Sequence, residues 1–379
     1  MSKWEMVSVA EACEILDNMR IPITASDRKK GIYPYYGANG VQDYVDDYIF
    51  DDELVLLAED GGHFGSKEKP IAYRVSGKCW VNNHAHVLKP KENLNVDYLC
   101  YSIMFYDVMP LISGTTRAKL NKAAISKMII PLPPLHVQQK IADILDRANA
   151  LIEKRKVQIE KLDLLVKSQF IEMFGDPVTN PKGWDVKALG SLGSFKNGIN
   201  YSQNESGYVI KCLSVGDFGK LRKIDDMSII KEINLLAEPS NDYLLQNGDI
   251  VFVRSNGNRE LVGRSVEVFP HGAKLTFSGF CIRYRNESEN LTTIFLNHAL
   301  HLPSLKATLL SEGRGANIQN VNQQMLSMLG IPIPPFTLQN KFVDFVERIE
   351  KQKSAIKKSL ELLELNYKSL MQKCFAGEI

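Results

Sequence analysis

The strongest constraint on this chain is a repeat. Residues 130–174 open with IPLPPLHVQQKIADIL and residues 331–375 with IPIPPFTLQNKFVDFV, at a constant offset of 201 without a gap, and 15 of the 45 positions are identical. The identities include Pro131/Pro332, Pro133/Pro334, Pro134/Pro335, Gln138/Gln339, Lys140/Lys341, Asp143/Asp344, Arg147/Arg348, Glu160/Glu361 and Phe174/Phe375. The same offset runs upstream through Gly114/Gly315, Asn121/Asn322 and Ser126/Ser327, while WEMVSV at 4–9 resembles WDVKAL at 184–189. A period of this kind sets the architecture before any local reading does. It predicts globular unit (1–135), helix (136–176), globular unit (177–335), helix (336–379).

Each copy's prolines cannot sit inside a helix but mark its approach. After them an apolar stripe steps by four and three residues, the a/d spacing of a coiled coil. In the first copy it runs through Ile141, Leu145, Ala148, Ile152, Arg155, Ile159, Leu162, Val166, Gln169 and Met173, and Gly175, Asp176 and Pro177 end it. In the second it runs through Phe342, Val346, Ile349, Lys353, Ile356, Leu360, Leu363, Tyr367, Leu370 and Cys374, and Gly377 ends it. Helices of about 39 residues would be roughly 58 Å long. A single such stripe would read as a helix lying on its own domain. Two equal seams bury each other most simply, and a pseudo-twofold axis between the copies makes the pair antiparallel. Arg155 and Lys353 interrupt the seams at non-equivalent heights, either to fix register or as solvated charges snorkelling past.

A chain of 379 residues with 44% hydrophobic residues agrees with two cores. Lys plus Arg (46) nearly balance Asp plus Glu (44), leaving +2, so bulk charge does not announce a nucleic-acid partner. The balance holds locally: 15 basic and 17 acidic residues in 1–135, 16 and 15 in 176–330. The six cysteines form no C-x-x-C pair, the start lacks an apolar leader, and no run reaches the ~18 residues that cross a bilayer. A cytoplasmic protein without membrane contact is expected.

The globular units read as mixed α and β. Alternating aromatics and turn residues in GIYPYYGANGVQDYVDDYIFDDELVLLAEDGG (31–62) suggest short strands. In the second unit Asn247, Gly248 and Asp249 turn into a strand, Ile250 to Val253, that delivers Arg254 into a loop. Amphipathic stretches at 96–109 and 292–310 read as helices. Shared frames around unlike interiors imply one role with two specificities.

The I-P-x-P-P-x-x-x-Q-x-K segments, the long heptad helix ending KSQFIEMFGDP (167–177), its C-terminal repetition, and the strings YPYYGANG (33–40) and LLAEDGG (56–62) together resemble the specificity (S) subunit of type I restriction-modification systems. The resemblance covers essentially the whole chain. It implies an α+β fold: two target recognition domains, each reading one half of a bipartite site in double-stranded DNA, with the two helices as an antiparallel coiled-coil spacer. It also implies two modification subunits forming an adenine methyltransferase, and restriction subunits that add a nuclease. S-adenosylmethionine, ATP and magnesium belong to those partners, with no cofactor or metal bound by this chain. The periodicity is compatible with that role, since a rod of ~58 Å spans roughly 17 base pairs at ~3.4 Å each.

Major-groove edges are read by Arg on guanine and Asn or Gln on adenine, from loops held by a scaffold. Arg254, Ser255, Asn256, Asn258, Arg259 and Arg264 offer that chemistry in the second unit, with Arg314, Asn317 and Gln319 as a second cluster. The alternative is a turn whose Asn and Gly serve backbone angles. In the first unit the counterparts are Tyr33, Tyr35, Tyr36, Asn39, His63, Ser66, Lys67 and Lys69, backed by Arg117 and Lys119. Aromatics in such a string serve a core as often as a ligand. Asn82, Asn83, His84 and His86 form a polar knot without ligand-spaced acidic or cysteine partners. Catalytic signatures are missing: Pro334, Pro335 and Phe336 follow Ile333 rather than Asn or Asp, and GGHFGSK (61–67) has the wrong spacing for a phosphate loop. Glu59 and Asp60 near Lys67 and Lys69 are a loose echo of a nuclease cluster that a solvated turn explains better. A non-catalytic recognition subunit is expected; the alternatives are an adaptor gathering two copies of a protein without reading DNA, and a self-contained DNA-modifying enzyme.

Overall fold

The computed structural model describes residues 3–114, 118–202, 205–219, 221–258, 260–311 and 320–378. The chain forms two compact units, Met1–Val157 with Lys357–Ile379, and Gln158–Ile356. Their boundaries cut across the long helices rather than falling at the helix ends. Each unit therefore owns half of each rod.

In the first unit β1 (Met6–Ser8) pairs antiparallel with β8 (Ile129–Pro131), closing the unit's frame. A six-stranded sheet has the order β2-β7-β5-β6-β3-β4, from β2 (Cys13–Ile15), β3 (Lys30–Gly37), β4 (Gly40–Val45), β5 (Phe50–Ala58), β6 (Ala72–Val81) and β7 (Ala85–Pro90). All its pairings are antiparallel except β3 with β6. Strand alternation sends Val55 and Leu57 of β5 into one core and Leu54 and Leu56 into another, so both sheet faces are covered. The helices are α1 (Val9–Ala12), α2 (Val96–Ile103), α3 (Lys122–Ser126) and the first half of α4 (Leu135–Phe174). The helix expected to run to Met109 stops at Ile103. The Met104 carbonyl accepts from the Ile71 amide instead, and the Asp107 carboxylate caps the Met109 amide in the following turn.

In the second unit β9 (Asp185–Ala188) pairs with β18 (Gly330–Ile333), the counterpart of β1 with β8. The interior differs. A five-stranded sheet, β10-β17-β14-β15-β12, comprises β10 (Gly193–Asn197), β12 (Lys223–Ile224), β14 (Asp249–Val253), β15 (Ser265–Val268) and β17 (Cys281–Asn286). A three-stranded sheet, β13-β11-β16, comprises β11 (Tyr208–Leu213), β13 (Glu232–Leu235) and β16 (Leu275–Phe277). Ile250 and Phe252 of β14 face one core, Val251 and Val253 the other. The stretch expected as one helix is two, α5 (Thr293–Leu300) and α6 (Pro303–Ser311), because Pro303 lacks an amide hydrogen and suits only a first helical position. Then follow α7 (Gln323–Met328), capped by Asn322 as α3 is by Asn121, and α8 (Phe336–Ala376).

The repeated glutamine explains the motif. Gln138, fully buried, accepts from the Asn95 amide (2.8 Å) and donates to Asn93 O (3.0 Å) and Pro133 O (2.7 Å). Gln339 accepts from Thr292 N (2.9 Å) and donates to Asn290 O and Pro334 O (2.9 Å each). Each long helix is thus latched at its first turn to the N-cap of its unit's own helix, α2 or α5. The seam residues of both helices are all buried or half-buried. In the first unit Ile141 and Leu145 join Tyr367, Leu370, Cys374 and Phe375. In the second, Val166, Phe170 and Phe174 join Phe342, Val346 and Ile349. The start of one helix meets the end of the other in both units, which is the antiparallel coiled coil. Lys353 is 9% exposed and bonds across to Asp163 (2.7 Å) as well as to Glu350 (2.8 Å), so it fixes register rather than snorkelling. Gly175, at φ +79°, ends α4 where a Cβ would stand 2.6 Å from Pro181.

Candidate nucleic-acid interface

In the first unit the aromatic string is scaffold. Tyr35 is 1% exposed; its hydroxyl accepts from the Ile23 amide (3.0 Å) and the Arg28 guanidinium lies 4.3 Å over its ring. The expectation that Tyr35 contacts DNA is corrected: alternation along β3 turns it inward. Tyr33 and Tyr36 are half-buried against Tyr48 (5.1 Å) and Tyr73 (5.8 Å). Asn39, exposed on the β3–β4 turn, donates to Gly61 O (3.0 Å), tying that turn to the loop after β5. There Ser66 accepts from the Lys69 amide (2.9 Å) and shapes the turn, His63 is half-buried, and Lys67 and Lys69 are exposed. Lys119 bridges Asp60 through its backbone. The fold therefore gathers Asn39, the 63–69 loop and Lys119 at one end of the unit, while Arg117 lies outside the described residues.

An ion-pair network supports this end. Glu59 receives Arg20 (2.6 Å) and Lys119 (2.9 Å); Asp17 accepts from the Val87 amide (3.1 Å) and lies 2.6 Å from Nδ1 of His86, whose Nε2 is 2.7 Å from Leu120 O. Burial opposes ionisation of Glu59, but the bonds from Lys119 and Arg20 hold its carboxyl below the ordinary range. Ligand atoms of Asp17, Glu59 and His86 lie within 4.8 Å of one another. Arg20 and Lys119 already supply the cations such a trio attracts, so its work is to clamp the 119–120 segment. Asp60 is 2.8 Å from Nδ1 of His84, and Asn82 accepts from the His84 amide (2.8 Å). The polar knot and the acidic pair are thus parts of one scaffold, and Glu59 is engaged by Arg20 and Lys119 rather than by Lys67 or Lys69.

In the second unit β14 delivers Arg254 as expected. Its amide donates to Phe280 O (2.8 Å), its Nη1 reaches Gly279 O (3.4 Å), and its carbonyl accepts from Val321 N (2.8 Å). The Asn256 and Asn258 side-chain oxygens accept from the amides of Asn258 (2.7 Å) and Glu260 (3.0 Å), so both build the turn. Ser255 and Asn256 also face a groove of about 790 Å³ that Asn200, Tyr201, Ser214, Ser278, Phe280 and Asn320 help to line, with no charged side chain in its wall among the described residues. Phe280 is 63% exposed at the rim. Gly279 lets the chain pass close to Asn200, whose Oδ1 would be 2.0 Å from a Cβ there. The sequence reading named Ser255 and Asn256 but missed the other wall residues, which come from four separated segments; its one available signal for them was a bulky Phe280 beside a glycine between two strands. Arg264 faces elsewhere, toward Leu221 O (3.4 Å). Arg259, Arg314, Asn317 and Gln319 lie outside the described residues.

No helix among the described residues is long and apolar enough to cross a membrane. The family model for the type I restriction modification DNA specificity domain matches residues 1–161 and 181–366. A putative type I restriction enzyme specificity subunit of Haemophilus influenzae is 31% identical over 368 residues, covering 95% of this chain and 91% of the relative. The StySPI specificity subunit of Salmonella potsdam is 26% identical over 86% of this chain and 75% of its own length. The S subunit of a type I restriction-modification system from M. genitalium shares the fold, with a TM-score of 0.61 at 14% identity over 99% of this chain and 96% of that one. On the matched span, the duplicated frame and the paired helices, this chain belongs to the type I restriction-modification DNA specificity family.

Proposed function

We propose that each unit reads one half of a bipartite DNA sequence, and that the chain itself performs no chemistry but positions two modification subunits and the restriction subunits on that site. S-adenosylmethionine, ATP and magnesium are assigned to those partners. The observation that carries the reading is the polar groove of the second unit, whose described wall residues carry no charge. Amide and hydroxyl side chains match the donor and acceptor pattern of base edges, an exposed Phe280 offers apolar contact, and Arg254 adjoins the wall residue Ser255 and bonds to Phe280. Two partner copies are supported by Leu164 and Leu365, which occupy equivalent repeat positions in different units and are 61% and 64% exposed.

Methylome sequencing of cells carrying the chain with its modification partners tests this. Arg254→Ala, Asn200→Ala and Phe280→Ala are each expected to relax one half-site by roughly 10- to 100-fold in discrimination and leave the other intact. Equal loss at both halves, or methylation without sequence preference, would count against it, the latter favouring the adaptor.

A further inference from the structure

Behind the Arg254 loop lies a cluster of cations that base reading does not use. Arg264 leads into β15, and its Nε is buried without a hydrogen-bond partner. Arg222 precedes β12, with Nη1 3.1 Å from Nδ1 of His298 on α5. His301, just past α5, has Nδ1 2.8 Å from Asn297 O, and its Nε2 is buried and unpartnered. Lys306 on α6 donates to Glu260 O (2.6 Å), inside the Arg254 loop. Arg264 closes the base of that loop through its carbonyl, which accepts from Val253 N (2.8 Å).

The cluster is short of negative charge. Among the described residues no carboxylate lies within 4.0 Å of Arg222, Arg264 or Lys306. Asp163 and Glu350 act on Arg222 from farther off while bonded directly to Lys353, and Glu260 acts on Lys306. Burial first, then Arg222, Arg264 and Lys306, depress His301 to about 4. Lys306 is lowered by burial and by Arg264. Half-buried cations, with Arg264 lowering both Arg222 and Lys306, form a site of positive potential, and the ligand that relieves it is an oxyanion accepting several N–H donors.

We propose that Arg222, Arg264 and Lys306 form a phosphate site that grips the backbone of the DNA whose bases lie in the groove. This rests on the DNA-reading function and names a second element of it. The link to DNA is structural: Arg264 and Lys306 hold the back of the loop whose front rims the groove. A phosphate there adds affinity without sequence preference.

The test is binding by the complex with its modification partners, measured against salt on a duplex with the matching second half-site and on one with that half altered. Arg264→Gln and Lys306→Gln are each expected to weaken both duplexes by the same factor and to reduce the slope of log affinity against log salt by about 0.9. Lys306→Arg should restore the slope. An unchanged slope in variants that keep their melting temperature overturns the site, as does a loss confined to the matching duplex. If Arg264→Gln fails to fold, Lys306→Gln, at a position that reaches solvent, decides alone. Millimolar inorganic phosphate that raises the melting temperature of the unsubstituted chain but not of Lys306→Gln, with salt slopes unaltered, would mark a small-anion site and overturn the DNA assignment. Failure of the unsubstituted complex to prefer any sequence would instead overturn the reading on which the site rests.

Discussion

Gln138 and Gln339 show how a motif becomes a physical device. Each side chain pairs one amide and two carbonyls where its long helix begins. Gln138→Leu keeps volume and removes all three partners, so it is expected to destabilise the first unit by about 2–4 kcal/mol in denaturant melts. Glu267 is a different case. Burial pushes its carboxyl above the ordinary range, against the bond from Thr293 (2.7 Å) and the charge of Lys223. Because the folded state holds this proton more tightly than the unfolded chain, stability is lost as pH rises through the usual carboxylate range toward the raised value. Glu267→Gln keeps the acceptor for Thr293 without the charge. Its melting temperature should exceed the parent's more at pH 8 than at pH 4; a gain independent of pH would contradict the assignment.

At the scale of elements, period and punctuation carried most of the information. The a/d stripe identified the buried side of both long helices because 3.5-residue periodicity survives whatever partner covers it. Asn247 to Asp249 announced β14, with Gly248 at φ +86°. Periodicity failed where a local competitor intervened, at Pro303 and where Ile71 takes the Met104 carbonyl. Tyr35 was misread because residue type says what a side chain can do, and strand phase says which way it points. If the helices set the distance between half-sites, one heptad inserted after Val157 and another after Ile356 keep the seams in phase and add about 10.5 Å of helix. The recognised spacer should lengthen by roughly three base pairs, read from the methylome; an unchanged spacer would show that the helices do not measure it.

At the scale of the molecule, the duplication, the two unlike units, the pairing of the helices and the absence of catalytic signatures were all legible in the chain, because they depend on order, period and composition. The frame strands β1 and β8 and their counterparts β9 and β18 sit where the repeat placed them. The groove wall was not legible, since Asn200, Ser214, Ser255, Phe280 and Asn320 are far apart in sequence and meet only through sheet pairing. Nor was the cation cluster, which three separate segments assemble. A net charge of +2 describes the sum of the charges and says nothing of their placement. Folding holds Arg222, Arg264 and Lys306 together beyond ion-pair reach of any described carboxylate, and a local excess of that kind is made by distances in space, which no linear count contains.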